Sequence, residues 1–245
     1  KPLSWLGKVV GGGLGFMIGG PFGALLGAVI GHHTLDTSES LSFEEQRHSV
    51  FFLATFSMLG KLSKADGVVS PEELEVVEHL MSENLKLSDE ARQFAISVFN
   101  AAKSSDSTFN DYARQFYEEF QGNPEVLSSI IDLMLRLAHA DGVLHPGEQA
   151  LIDEAVNIFG VSNEYQQLKA RYSSSNDLQQ CYGVLGATEE ESLVSVKKKY
   201  RKLVMTYHPD RLQANGVSPE FAVAAEDRFK EIQHAFEVIE KHLSR

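Results

Sequence analysis

Three hydrophobic patterns divide the chain. From Val9 to Gly31, 23 residues pass without a charged or polar side chain. As one helix this run would extend roughly 34 Å, enough for the ~30 Å hydrocarbon core of a bilayer. From 43 to 172 apolar positions recur at steps of three and four: Phe52, Phe56, Leu59; Leu74, Val77, Leu80; Ile130, Leu133, Leu137. That period predicts amphipathic helices. Breaks at Asp66-Gly67, Ser70-Pro71, Ser88-Asp89, Gly122-Asn123-Pro124, His145-Pro146 and Gly160 divide the run into about seven. The third pattern is a pair of amphipathic helices. One spans about 189–207 with Leu193, Val196, Tyr200, Leu203, Val204 and Tyr207 on one face; the other carries Ala225, Phe229, Ile232, Phe236 and Ile239. No convincing alternation of strand type occurs, so the expected fold class is all-α.

The apolar run has an inner period. Gly11, Gly15, Gly19, Gly23, Gly27 and Gly31 fall at every fourth position. On one helix these form a groove without side chains, along which two membrane helices can approach closely. The functional reading is an anchor that self-associates through this stripe. The bland one is an anchor whose glycines only reduce bulk, and a re-entrant turn at Gly20-Pro21 is a third. Pro21 is expected to kink the span, and Trp5 to sit at the membrane interface. A cleaved signal peptide fits poorly, because the run is too long and no small-x-small site leads into a polar start.

The middle region repeats itself. Lys64-Ala65-Asp66-Gly67-Val68-Val69-Ser70-Pro71-Glu72-Glu73 is echoed by His139-Ala140-Asp141-Gly142-Val143-Leu144-His145-Pro146-Gly147-Glu148. One account is capping alone. Asp-Gly turns the chain, Ser70 caps, Pro71 takes the first helical position and Glu73 closes a capping box, with His145 a poorer cap. The other is that the bundle brings Asp66, Glu73, Asp141 and Glu148 together as oxygen ligands for a divalent cation. The pattern resembles the TerB-like helical domain of tellurite resistance over roughly residues 45–170.

Charge changes the picture. The net −12 is unevenly placed: +2 over residues 1–31, −13 over 32–175 and −1 over 176–245. The near-neutral C-terminal region concentrates Lys197, Lys198, Lys199, Arg201 and Lys202 on one helix, with no acid from Ser192 to Pro209. Lys198, Arg201 and Lys202 point away from the apolar stripe. Such a face suits an acidic protein partner; without interleaved aromatics it does not indicate nucleic acid. A single cysteine, Cys181, excludes an intramolecular disulfide framework and reads as a small packing residue. No serine elbow or phosphate loop supports a hydrolase.

Directly after the basic helix comes His208-Pro209-Asp210. Pro209 interrupts helical hydrogen bonding and holds His208 out of the α region. Asp210 is expected on an exposed turn, followed by a loop of about ten residues and the second helix. Tyr182, Leu185-Gly186, Tyr200-Arg201-Lys202-Leu203, the His-Pro-Asp turn, Phe229-Lys230-Glu231-Ile232 and Ala235-Phe236 together resemble the J-domain of DnaJ-type co-chaperones. The resemblance implies stimulation of ATP hydrolysis by a DnaK-type Hsp70. It assigns His208, Pro209, Asp210, Lys198, Arg201 and Lys202 to the Hsp70 contact. Gly183 stands where that family usually has an acidic or larger residue, an expected weakening of its first helix.

The order of segments resembles the DjlA family of membrane-anchored bacterial DnaJ-like proteins. The expected organisation is a transmembrane anchor at 1–31, a TerB-like domain at 32–172, a linker at 173–179 and a J-domain at 180–245. The implied protein is not an enzyme and requires no cofactor beyond a possible divalent cation in the middle domain. Its expected partners are a DnaK-type Hsp70, a second copy through the glycine stripe, and an unknown membrane or signalling client. The implied location is the bacterial inner membrane, single-pass, with the N-terminus periplasmic and the C-terminal domains cytoplasmic, although Lys1 and Lys8 favour the reverse. The alternative function is a membrane-tethered metal-binding or sensing scaffold acting through the acidic domain.

Overall fold

The computed structural model describes residues 4–10, 18–30, 41–65, 71–139, 144–172 and 177–244. Among these the chain is helical throughout, without strands. Two short helices, α1 (Ser4–Val10) and α2 (Gly20–Ile30), open the fold. The middle domain follows with α3 (Phe43–Leu62), α4 (Pro71–His79), α5 (Asp89–Ser104), α6 (Phe109–Phe120), α7 (Pro124–Ala138), α8 (Pro146–Phe159) and α9 (Ser162–Lys169). The C-terminal unit comprises α10 (Asp177–Leu185), α11 (Leu193–Thr206), a short α12 (Pro209–Ala214) and α13 (Ala222–Leu243).

Helix α3 is the axis of the middle domain. Ser42 caps it, accepting the Glu45 N–H while the Glu45 carboxylate accepts the Ser42 N–H at 2.9 Å, a closed capping box. The helix is buried on nearly every side from His48 to Leu62, because α1, α2, α5, α6, α7 and α8 surround it. Its Ser and Thr hydroxyls satisfy themselves locally: Thr55 donates to the Phe51 carbonyl and Ser57 to that of Ala54. Helix α5 approaches so closely that a Cβ at Gly60 would lie 2.6 Å from the Phe99 carbonyl oxygen. Phe51, Phe52 and Phe56 form the aromatic centre with Phe94, Phe116 and Phe120.

The N-terminal segment differs from the continuous spanning helix expected for it. Ile18 and Gly19 are not helical, Gly20 has φ of 68°, and α2 starts at that residue. Pro21 therefore begins a helix rather than kinking one, since it has no N–H to continue the ladder from behind. Gln115 of α6 holds the break. Its side chain donates to the Gly19 carbonyl at 2.7 Å and accepts the Phe22 N–H at 2.9 Å. Gly19 lies ahead of the helix that carries Gly23 and Gly27, while Gly11, Gly15 and Gly31 lie outside the described residues. Trp5 is not interfacial either. It is buried (2% exposed), edge-on to Phe52 and Phe94. Among the described residues no helix is long and apolar enough to cross a membrane.

Candidate functional site: a docking face and a His-Pro-Asp turn

Helix α11 is built as its period demands. Ser192 caps it, accepting the Ser195 N–H at 3.3 Å. Val196 is fully buried, and Tyr200 stacks on Phe236 of α13 with ring centroids 4.2 Å apart and planes 13° from parallel. The opposite face is exposed, including Val194 and Met205 beside the lysines. The five basic residues then separate into two groups. Lys199 is tied back to Glu191 and the Gly186 carbonyl at 2.5 and 2.6 Å, and Lys197 lies 3.7 Å from Glu240. Lys198, Arg201 and Lys202 are exposed and make no ion pair among the described residues. The three cations singled out by helical phase are those without an ion pair among the described residues.

The turn after α11 is helical where a loop was expected. His208 has extended dihedrals (φ −63°, ψ 129°) and Pro209 takes the first position of α12, which puts Asp210 in its first turn. The reason is the same lack of an N–H that ends α11: it is harmless where no intrahelical donor is required. The His208 and Asp210 side chains are 50% and 91% exposed, with Nδ1 and Oδ2 3.9 Å apart. The His208 ring meets the edge of Phe229 at 5.8 Å. Lys198, Arg201, Lys202, His208 and Asp210 are thus each exposed on the surface of α11 and the turn that follows it.

Behind the turn, this surface is held by the middle domain. Tyr207 is buried, and its hydroxyl lies 3.1 Å from that of Ser128 on α7. Asn215 donates to Glu125 at 2.7 Å, and His48 Nε2 donates to the Gln213 carbonyl at 3.1 Å. Phe221, 1% exposed, inserts among Phe51, Phe52 and Phe56 with centroids at 5.0, 6.2 and 6.2 Å. The sequence reading missed this docking, although Leu212, Val217 and Phe221 are apolar residues in a segment read as loop. Gly183 also finds its explanation here. A Cβ at that position would come within 2.6 Å of the Ala170 Cβ, so the missing side chain is what lets α10 meet the end of the middle domain. A cleft of about 420 Å³ remains between the two units, lined by Glu164 and Gln167 on one side and Lys199, Lys202 and Arg211 on the other.

The acidic repeat is seen only in part. Asp66 and Asp141 lie outside the described residues, as does the side chain of Glu73. Glu148 is buried and accepts the His145 N–H at 3.2 Å, the reciprocal half of a helix cap. Among the described residues no cluster of three or more His, Cys, Asp or Glu side chains could hold a metal ion. Cys181 is buried, and burial foremost pushes its thiol up, in keeping with a packing role.

A helical hairpin with an outward cationic face and an exposed His-Pro-Asp turn defines a J-domain co-chaperone, a protein that acts on the ATPase of an Hsp70 and is not itself an enzyme. Comparison with known proteins agrees. Residues 180–245 match the DnaJ domain, 52–170 match tellurite resistance protein TerB, and 3–41 match the co-chaperone DjlA transmembrane domain. Co-chaperone protein DjlA of Vibrio parahaemolyticus is 30% identical over 81% of this chain and 80% of its own. Those of Coxiella burnetii and Escherichia coli K12 are each 28% identical over 98% of both chains. The chain belongs to the DjlA family of co-chaperones. The match at 3–41 assigns membrane anchoring to the N-terminal segment. No solved structure matches the chain.

Proposed function

We propose that Lys198, Arg201 and Lys202 dock a DnaK-type Hsp70 electrostatically while His208, Pro209 and Asp210 trigger its ATP hydrolysis. The observation that carries this reading is that the three cations make no ion pair among the described residues and stand on the helix that leads into an exposed His208 and Asp210. Unsatisfied charge on a rigid helix face steers and orients an acidic partner. The middle domain recruits a membrane or signalling client, onto which the stimulated Hsp70 locks. Because Hsp70 and ATP are cytoplasmic, the J-domain faces that side and the N-terminus is periplasmic. Large acidic domains follow the lysine rule weakly, and two lysines give little bias. Self-association through the glycine-rich segment would present two J-domains together and raise their effective concentration.

Single-turnover ATP hydrolysis by a DnaK-type Hsp70 tests the assignment. His208→Gln and Asp210→Asn, both at exposed positions, should abolish stimulation while the thermal transition stays unchanged. Full stimulation by either variant would overturn the role given to the turn.

A further inference from the structure

Six side chains form a closed ring between the middle domain and the J-domain. It starts and ends one helical turn apart on α7, at Ser128 and Asp132. The Asp132 carboxylate accepts Arg171 Nη1 at 2.6 Å. Arg171, just beyond α9, also grips Glu231 of α13 with two parallel bonds, Nε to Oε1 at 2.8 Å and Nη2 to Oε2 at 2.5 Å. Glu231 accepts Arg228 Nη1 at 2.7 Å. The Arg228 guanidinium, nearly inaccessible, lies 5.6 Å from the centre of the Tyr207 ring. The Tyr207 hydroxyl returns to Ser128 at 3.1 Å.

Two features make this more than a glue between domains. The ring is ionic and largely buried, with Arg171 and Glu231 partly exposed, where apolar packing would serve stability as well or better, and buried ion pairs are best attested where they fix one arrangement among several. It also includes Tyr207, the residue that precedes His208. Lys198, Arg201, Lys202, His208 and Asp210 stay exposed, Lys202 at the edge of the cleft between the two units.

We propose that Arg171 is a positioning residue for the co-chaperone reaction. Through Glu231, Arg228 and Tyr207 it sets the orientation of the His-Pro-Asp turn from the middle domain. The J-domain of this chain is then held in one pose on the middle domain, and events at α7 reach the turn through two adjacent attachment points. The proposal rests on the co-chaperone reading for its functional half only, since the ring itself can be tested without an Hsp70.

The test uses the full chain and two readouts, hydrogen exchange of the amides from Tyr207 to Leu212 and single-turnover ATP hydrolysis by a DnaK-type Hsp70. Arg171→Met removes both grips. Amide exchange should accelerate and the maximal stimulated rate should fall, each by at least about fivefold, the scale of coupling between linked sites. Arg171→Lys keeps the charge for Asp132 but cannot hold Glu231 with two bonds, and should fall between. Tyr207→Phe keeps the ring under Arg228 and loses only the bond to Ser128; it should accelerate exchange with the fold intact. Wild-type exchange and rate in a folded Arg171→Met variant would overturn the proposal. If that variant does not fold, wild-type exchange in Tyr207→Phe does so instead. Absence of stimulation by the unaltered chain would defeat the co-chaperone reading and leave the exchange result standing.

Discussion

At the scale of single residues, the chemistry of the docking turn is local and the chemistry that holds it is not. His208, Pro209 and Asp210 are consecutive, and proline dictates the geometry of its neighbours by its own ring. Those residues were legible in the sequence for that reason. Arg171 was not, because its partners Asp132 and Glu231 lie 39 and 60 positions away. Phe221 is a similar case, an aromatic residue in an apparent loop whose partners sit on α3. Its side chain fills a fully enclosed aromatic site, so Phe221→Ala should destabilise the chain by about 3–5 kcal/mol, the range for emptying such a site. Equilibrium denaturation of the full chain checks this, and a loss under about 1 kcal/mol would show that Phe221 does not anchor the two units together.

At the scale of elements, α11 has two kinds of lysine. Helical phase alone separated the outward Lys198, Arg201 and Lys202 from the apolar stripe. Only the folded chain shows that Lys197 and Lys199 are answered by Glu240 and Glu191. Replacing Lys198, Arg201 and Lys202 together by glutamine should raise the Hsp70 concentration for half-maximal stimulation at least about tenfold, and flatten its dependence on salt. Lys197→Gln and Lys199→Gln should do much less in the same titration. Helix α10 makes the complementary point. Gly183 looked like a weakness in its sequence, yet a side chain there meets Ala170. Gly183→Ala would strengthen an isolated helix by roughly 0.5–1 kcal/mol. In the full chain it should lower the thermal midpoint, because the helix would be pushed off the middle domain. A raised midpoint would refute the close approach.

At the scale of the whole molecule, acid should act in two opposite senses. Burial pushes the Asp132 and Glu231 carboxyls up. For Asp132 the Arg171, Arg136 and Arg228 guanidiniums outweigh this, and for Glu231 those of Arg171 and Arg228 do, so both carboxyls are held below the usual range. The unfolded chain binds their protons more readily, so their contribution is complete above the ordinary carboxylate range near about pH 4. It is lost as pH falls through the lowered folded values. Glu220 behaves in reverse: burial pushes its carboxyl up to about 6. The folded chain takes up that proton first, so stability is gained as pH falls from above 6 towards the ordinary value of 4.5. The thermal midpoint should therefore rise on going from neutral pH to 5, less so in Glu220→Gln, and collapse below 4. An identical rise in the glutamine variant would remove Glu220 from the account. The helical class, the amphipathic hairpin, the cationic face and the His-Pro-Asp turn follow from the sequence by itself, because each depends on spacings of a few residues along one backbone. The break at Gly19-Gly20, held by Gln115 from 93 positions away, was decided only in three dimensions. So were the burial of Trp5 and Phe221 and the ionic ring that seats the J-domain. These depend on which distant surfaces meet, and hydrophobic periodicity says which face of a helix is buried but not what buries it.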